Sequence, residues 1–224
     1  MGRWGRSGLT GVLGMLLSAC SVASGGGGGT AEDLLKPVTQ ESGTAEARGL
    51  GKLSLASREV DGFAVSQADG LREVQVAQDG CAPLGRALSG VVVGEPVSME
   101  VREAVGEGAA VTIALAEYAD GQAESVMDTL AVSAAECADG FTATVDGVER
   151  KFEKAAPEIA PEGADQAMGL GAVVRGDGAE TPVKAMVLRK GNIVAYLSAV
   201  PDGGAAEGFS VPAVVVNAQL AKLG

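Results

Sequence analysis

Eight of the eleven aspartates in this chain are followed directly by glycine: Asp61, Asp69, Asp79, Asp120, Asp139, Asp146, Asp177 and Asp202. Asp-Gly is turn chemistry. The carboxylate bonds its own backbone and tolerates a left-handed conformation, while glycine takes positive φ without steric cost. Most aspartates therefore read as turn residues at chain reversals, which weakens any scheme of paired catalytic aspartates converging in a cleft.

Between the turns the pattern alternates. Val97, Met99 and Val101 point one way and Ser98, Glu100 and Arg102 the other; Val111, Ile113 and Leu115 repeat this around Thr112 and Ala114. Both segments read as half-buried strands. Further strands are expected at Phe63–Gln67, Glu73–Ala77, Phe141–Val145, Val148–Phe152, Ala167–Val174, Val183–Leu188 and Ile193–Val200. Short turns at Gly176-Asp177-Gly178 and Lys190-Gly191-Asn192 suit a C-terminal meander. After Asp120, the residues Ala123, Val126, Met127, Leu130, Ala134 and Cys137 follow helical spacing, with Glu124, Asp128 and Ser133 on other faces. A second helix is expected from Ser210, as N-cap, through Pro212 to Leu223, with Val216, Leu220 and Leu223 inward. A shorter one falls near Pro83–Leu88. Hairpin links predict an α+β fold: a single antiparallel twisted sheet with a long central helix and a C-terminal helix packed on it.

Composition limits the core and the chemistry. Of 224 residues, 38 are alanine and 34 glycine, enough for one modest domain. Seventeen basic residues against 29 acidic ones give −12, which repels phosphate backbones and argues against a nucleic-acid partner. Histidine is absent, so Ser-His-Asp and Cys-His catalysis and His-ligated zinc are excluded.

The N-terminus reads as an address. Arg3 and Arg6 precede an apolar run from Leu9 to Leu17, and Leu17-Ser18-Ala19-Cys20 is similar to the bacterial lipobox. The run is too short for a stable spanning helix. Residues 1–19 are expected to be a lipoprotein signal peptide, with Cys20 lipidated after cleavage and the protein held on the extracytoplasmic face of the membrane. Losing two arginines deepens the net charge to −14. Residues 20–49, with five glycines from Gly25 to Gly29, read as a flexible tether. A short helix at Ala31–Lys36 is interrupted by Pro37. The domain proper is expected over 50–224.

Cys81 and Cys137 remain in a chain bound for an oxidising space, and a disulfide between them is expected in preference to two free buried thiols. The absence of a Cys-x-x-Cys motif argues against a redox-active pair.

The order of landmarks carries a resemblance. Gly80-Cys81-Ala82-Pro83-Leu84 is followed by two strands, an Ala-rich helix ending in Ala135-Glu136-Cys137, then Gly140-Phe141-Thr142, then Leu188-Arg189-Lys190-Gly191-Asn192-Ile193-Val194. From about Phe63 to Leu223 this is similar to actinobacterial lipoproteins related to the extracellular sensor domain of PknH-type receptor kinases. The resemblance implies a compact α+β module with a ligand groove, hence recognition rather than catalysis. The sequence differs from the receptor pattern in carrying no kinase segment or spanning helix, and two ectodomain cysteines instead of four.

No motif assigns a ligand site. Arg175-Gly176-Asp177 reads as a hairpin turn. Lys184, Arg189 and Lys190 form either one cationic rim or a solvated strand face, and Met99, Met127, Met168 and Met186 either line an adaptable pocket or fill gaps in a small-residue core. No Asp-x-Asp-x-Asp-Gly loop ending in glutamate is present, so no metal is expected, and no cofactor. The leading expectation is a membrane-anchored lipoprotein whose non-catalytic domain binds an unknown small molecule or envelope protein. The alternatives are a lipid or glycolipid carrier with an apolar cavity between the C-terminal helix and the sheet, and a histidine-independent envelope enzyme.

Overall fold

The structure, a computed structural model, describes residues 47–224 apart from 71, 107, 177 and 204–207. The signal, Cys20, the glycine tether and the helix expected at Ala31–Lys36 lie outside the described residues. The first element is a helix, α1 (Ala47–Leu53), which the sequence does not announce. It is followed by β1 (Phe63–Gln67), β2 (Val74–Val76), a 3-10 turn at Asp79–Cys81 and α2 (Ala82–Leu88). Next come β3 (Ser98–Gly106), β4 (Ala109–Glu117), α3 (Gln122–Glu136), β5 (Phe141–Val145) and β6 (Val148–Glu158). The chain ends with β7 (Gln166–Gly176), β8 (Ala179–Lys190), β9 (Ile193–Pro201) and α4 (Ala213–Leu223). The fold is α+β, as expected: one open antiparallel sheet of nine strands in the order β1-β3-β4-β9-β8-β7-β6-β5-β2. β5 to β9 form the expected meander, with turns at Asp146-Gly147 and Gly191-Asn192 as expected. At Asp146-Gly147 both residues have positive φ, 52° and 79°, the requirement of a tight two-residue hairpin.

The helices cover both faces. α2 and α3 pack over Ala114, Ala116, Phe141, Phe152, Leu170, Ala185, Val187 and Tyr196. On the other face α1 and α4 pack over Val111, Ile113, Leu115, Leu188, Ala195 and Leu197. β4 is therefore buried on both sides, not half-buried as its alternation suggests. Ala114 and Ala116 are small because the opposite helix layer lies on them, and at single-residue level a small buried alanine looks like a tolerated exposed one.

Two helix faces also differ from expectation. On α3 the inward residues are Ala123, Met127, Leu130 and Ser133. Ser133 is buried because its hydroxyl donates to the Gly80 carbonyl at 2.7 Å and accepts the Leu84 N–H at 3.2 Å, docking α3 on the start of α2. Beside it Cys81 and Cys137 are joined by a disulfide, their Cα atoms 5.8 Å apart. α4 begins after Pro212, which occupies the N-cap position, so Ser210 does not cap it. Its buried line is Val215, Val216 and Gln219. The Gln219 amide donates to the Leu53 carbonyl at 2.8 Å, and Lys222 reaches the Ser54 carbonyl and pairs with Glu59, so α4 is laced to α1. The Glu59 carboxyl is held below its usual range, mainly by the hydrogen bond from Lys222.

The topology forces strong curvature. β1 and β2 are opposite edges, and on a flat sheet eight strand spacings would separate them by about 38 Å. Residues 68–73, which connect them, reach at most about 25 Å. The sheet coils so that its edges approach, and Ala68, Asp69, Gly70 and Arg72 lie against the concave face, which is the α2–α3 face. The connection leaves with the Ala68 N–H on the Val101 carbonyl and arrives with Glu73 and Asp146 exchanging bonds at the β5–β6 hairpin. The end of α2 is clamped to the same face. The Ser198 hydroxyl donates to the Leu88 carbonyl at 2.6 Å, and Gly90, at φ 73°, lies so close that a Cβ would come within 2.8 Å of Thr112. Gly90→Ala is expected to destabilise the protein by about 2–3 kcal/mol, from the left-handed backbone and the clash together. Urea unfolding measures this; a loss below about 0.5 kcal/mol would mean that Gly90 is not clamped.

Candidate functional site: a cleft on the concave sheet face

The α2–α3 layer covers only part of the concave face. Beyond Gly90 the strands β3, β4, β9, β8, β7 and β6 floor an open cleft, lined on its outer side by Ala68, Asp69, Gly70 and Arg72. The cleft has three lobes of about 330, 370 and 150 Å³, and Arg72, on the connection, lines all three. Its middle is a polar row set by strand register: Glu103 lies opposite Thr112, and Thr112 opposite Ser198. One lobe adds Arg86 and Asp69 beside Glu103. Arg86 is oriented by its Nε–H, which donates to the Val92 carbonyl at 2.8 Å. Among the described residues no carboxylate forms an ion pair with Arg72 or Arg86. The largest lobe has an apolar floor that includes Leu88, Phe152, Val174, Val183 and Val200, with Arg72, Arg150, Ser89 and Thr181 around it. Phe152 is fixed by stacking on Phe141 at 4.7 Å.

A second cavity, of about 350 Å³, is almost wholly apolar and lies between α3 and the β6–β7 pair. It exists because β6 is bulged between Glu153 and Ala156, with Lys154 at φ 53°, and because the facing side chains are small: Ala131, Ala134, Ala135 and Ala138. The position expected for a carrier cavity, under the C-terminal helix, is instead packed with Val215, Val216 and Gln219. The helix that bounds an apolar cavity is α3.

The residues singled out in the sequence do not converge. Lys184 pairs with Glu158, while Arg189 and Lys190 lie 3.8 Å from opposite oxygens of Asp165, so two of the cations share one carboxylate and Lys184 is engaged elsewhere. Asp165 accepts the Gly191 N–H, and this bond, with Lys190 and Arg189 nearby, holds its carboxyl below the usual range. Arg175 and Gly176 end β7, where Arg175 pairs with Glu153 and Glu180; Asp177 lies outside the described residues. The methionines scatter: Met99 lines the cleft, Met168 the apolar cavity, and Met127 and Met186 sit in opposite cores. Among the described residues no group of three or more Asp, Glu and Cys side chains is placed to hold a metal, and no helix is long and apolar enough to cross a membrane. The phenols of Tyr118 and Tyr196 meet at 2.9 Å, and Tyr118 also donates to the Val93 carbonyl. Burial pushes both phenols up, which withdraws them from base chemistry near neutral pH.

Sequence reading missed the cleft. Ser198 carried a signal, as a lone hydroxyl inside the apolar run of β9. Arg72 carried none, because its place depends on which edges the connection joins.

The fold and site define a helix-covered, coiled antiparallel sheet with an open concave cleft. Among solved structures it is similar to the extracellular domain of PknH from Mycobacterium tuberculosis, with TM-score 0.46 and 12% identity over 79% of this chain and 88% of that one. This is the domain type that the sequence landmarks resemble. It is also similar to an uncharacterized protein of Mycobacterium smegmatis, the Rv0999 ortholog, with TM-score 0.39 and 14% identity over 73% of this chain and 90% of that one. No protein-family model and no curated sequence matches the chain.

Proposed function

We propose that this protein is a lipid-anchored, extracytoplasmic binding protein that holds a ligand in the concave cleft without transforming it. One observation carries the reading: three lobes share Arg72, which forms no ion pair with a carboxylate of the described residues. A charged group held over a preformed cleft of this size suits a small organic ligand, and it favours a small molecule over a flat envelope-protein surface. The lack of histidine and the buried phenols favour recognition over catalysis. The lipobox supports anchoring through Cys20. The apolar cavity beside α3 is what favours a second reading, lipid carriage, and its modest volume suits one short chain rather than a glycolipid.

Two variants test the parts separately. Cys20→Ala is expected to move the protein from the membrane fraction into the soluble fraction and abolish acyl labelling; retention with label would refute the anchor. Thr181→Trp fills the cleft. Small molecules extracted from cell envelopes are expected to raise the melting temperature of the native cleft by about 5–10 °C when near 100-fold above Kd. An equal rise in Thr181→Trp, or no rise in either, would refute the cleft.

A further inference from the structure

Building on the cleft as the binding site, we infer that its ligand carries a zwitterionic head, a primary ammonium beside a carboxylate or phosphate, on a single apolar chain. The lobe between α2 and β3 supplies the head site. Its described lining holds two cations, Arg72 and Arg86, and two carboxylates, Asp69 and Glu103. Charge is balanced there, in a chain whose net charge is −12. A net anion would meet the two carboxylates and a net cation the two arginines, whereas a zwitterion satisfies both signs.

Pairing singles out one residue of each sign. Arg102, Arg189 and Lys222 are half-buried elsewhere, and each meets a carboxylate, of Glu100, Asp165 and Glu59. Arg86 is half-buried too, yet beyond the bond from its Nε–H to the Val92 carbonyl its guanidinium has no partner among the described residues. Glu103 is half-buried on β3, and its carboxylate has neither an ion pair nor a side-chain hydrogen bond among them. The two line one lobe of about 330 Å³ without pairing with each other. Half-buried charges left apart in this way lose solvation without recovering it, and a ligand bearing both signs restores it to both. The planar fork of Arg86 takes two oxygens of a carboxylate or phosphate together, and Glu103 accepts from the ammonium.

The rest of the cleft specifies the chain. From Glu103 the polar row passes Thr112 and Ser198 and ends at the apolar floor of the largest lobe, where Leu88, Phe152, Val183 and Val200 gain from covering an alkyl body. β3 and β8 are three strand spacings apart, about 14 Å along the sheet, so a ligand that uses both lobes is elongated. The largest lobe, about 370 Å³, lies near the lower end of ligand pockets and takes one chain rather than two.

The test uses the full mature chain carrying Cys20→Ala, so that no detergent competes. Calorimetric titrations at pH 7, below micellar concentration, compare 2-aminodecanoate, decyl phosphoethanolamine, decanoate, decylammonium and decanol, with alanine as a head lacking the chain. The expected result is one saturable site per chain for the two zwitterionic amphiphiles and at least about tenfold weaker binding of every other probe. Glu103→Gln is expected to weaken the zwitterions about tenfold without weakening decanoate. Arg86→Gln is expected to weaken them similarly without weakening decylammonium, both variants keeping unaltered circular dichroism. Tighter 2-aminodecanoate assigns an amino-acid head, and tighter decyl phosphoethanolamine a phosphodiester head. Equal binding of decanoate, decylammonium, decanol or alanine, or unchanged zwitterion binding in Glu103→Gln, overturns the inference. If no amphiphile binds while the extract still raises the melting temperature and Thr181→Trp still blocks that rise, the zwitterion falls and the cleft stands. If that rise is absent too, both fall.

Discussion

Opening the Cys81–Cys137 bridge, by reductant or by replacing both cysteines with serine, is expected to cost about 4 kcal/mol of stability, from the loop-closure entropy of a 57-residue ring. The geometry makes this a loss for the helix layer above all. Cys81 stands at the N-cap of α2 and Cys137 at the C-cap of α3, with Ser133 bonding across beside them. Without the bridge the two helices retain Leu84, Leu88, Met127 and Leu130 against a sheet face rich in alanine, each large side chain contributing about 1.5–3 kcal/mol when buried. Equilibrium urea unfolding at pH 7, with and without reductant, measures the difference. A loss below about 1 kcal/mol would mean that the reduced unfolded chain is already compact around these helices.

Alkaline titration is expected to give the second large effect. The chain has two tyrosines, and they are Tyr118 and Tyr196. Burial raises both phenols above their ordinary value of 10.0, so folding favours their protonated forms. The sign follows directly. Below pH 10 this contribution is fully present; above it the unfolded chain binds fewer protons than the folded one, and stability falls as pH rises. Tyrosinate absorbance at 295 nm is therefore expected to stay flat through pH 10 and then rise in one cooperative step together with the loss of circular dichroism. A gradual rise centred near pH 10 in a still-folded protein would contradict the buried pair.

Much of the fold was legible because its signals are local. Six of the eight Asp-Gly pairs place glycine at positive φ, and the strands they separate follow from alternation. The meander of β5 to β9 follows from short turns in sequence. The errors came where a neighbour distant in sequence decides the outcome. Alanines on β4 are buried because α2 and α3 cover them. Ser133 turns inward because it has partners at Gly80 and Leu84, and Gln219 is buried because Leu53 offers a carbonyl. The cleft was illegible for the same reason. Glu103, Thr112 and Ser198 become one row only when β9 inserts beside β4, and Arg72 reaches them only because β1 and β2 lie at opposite edges.

That insertion has a consequence for how the protein comes into being. β4 is complete early in the chain, yet its second hydrogen-bonding edge is met by β9, the last strand to be made. A chain emerging from its N-terminus can form the β1-β3-β4 piece and the helix layer long before that partner exists. Until then one of the most apolar strands presents an open edge, the condition under which partly made chains pair with one another. Completion of the sheet awaits β9, so the molecule depends during synthesis on being kept from its own copies until that strand is in place.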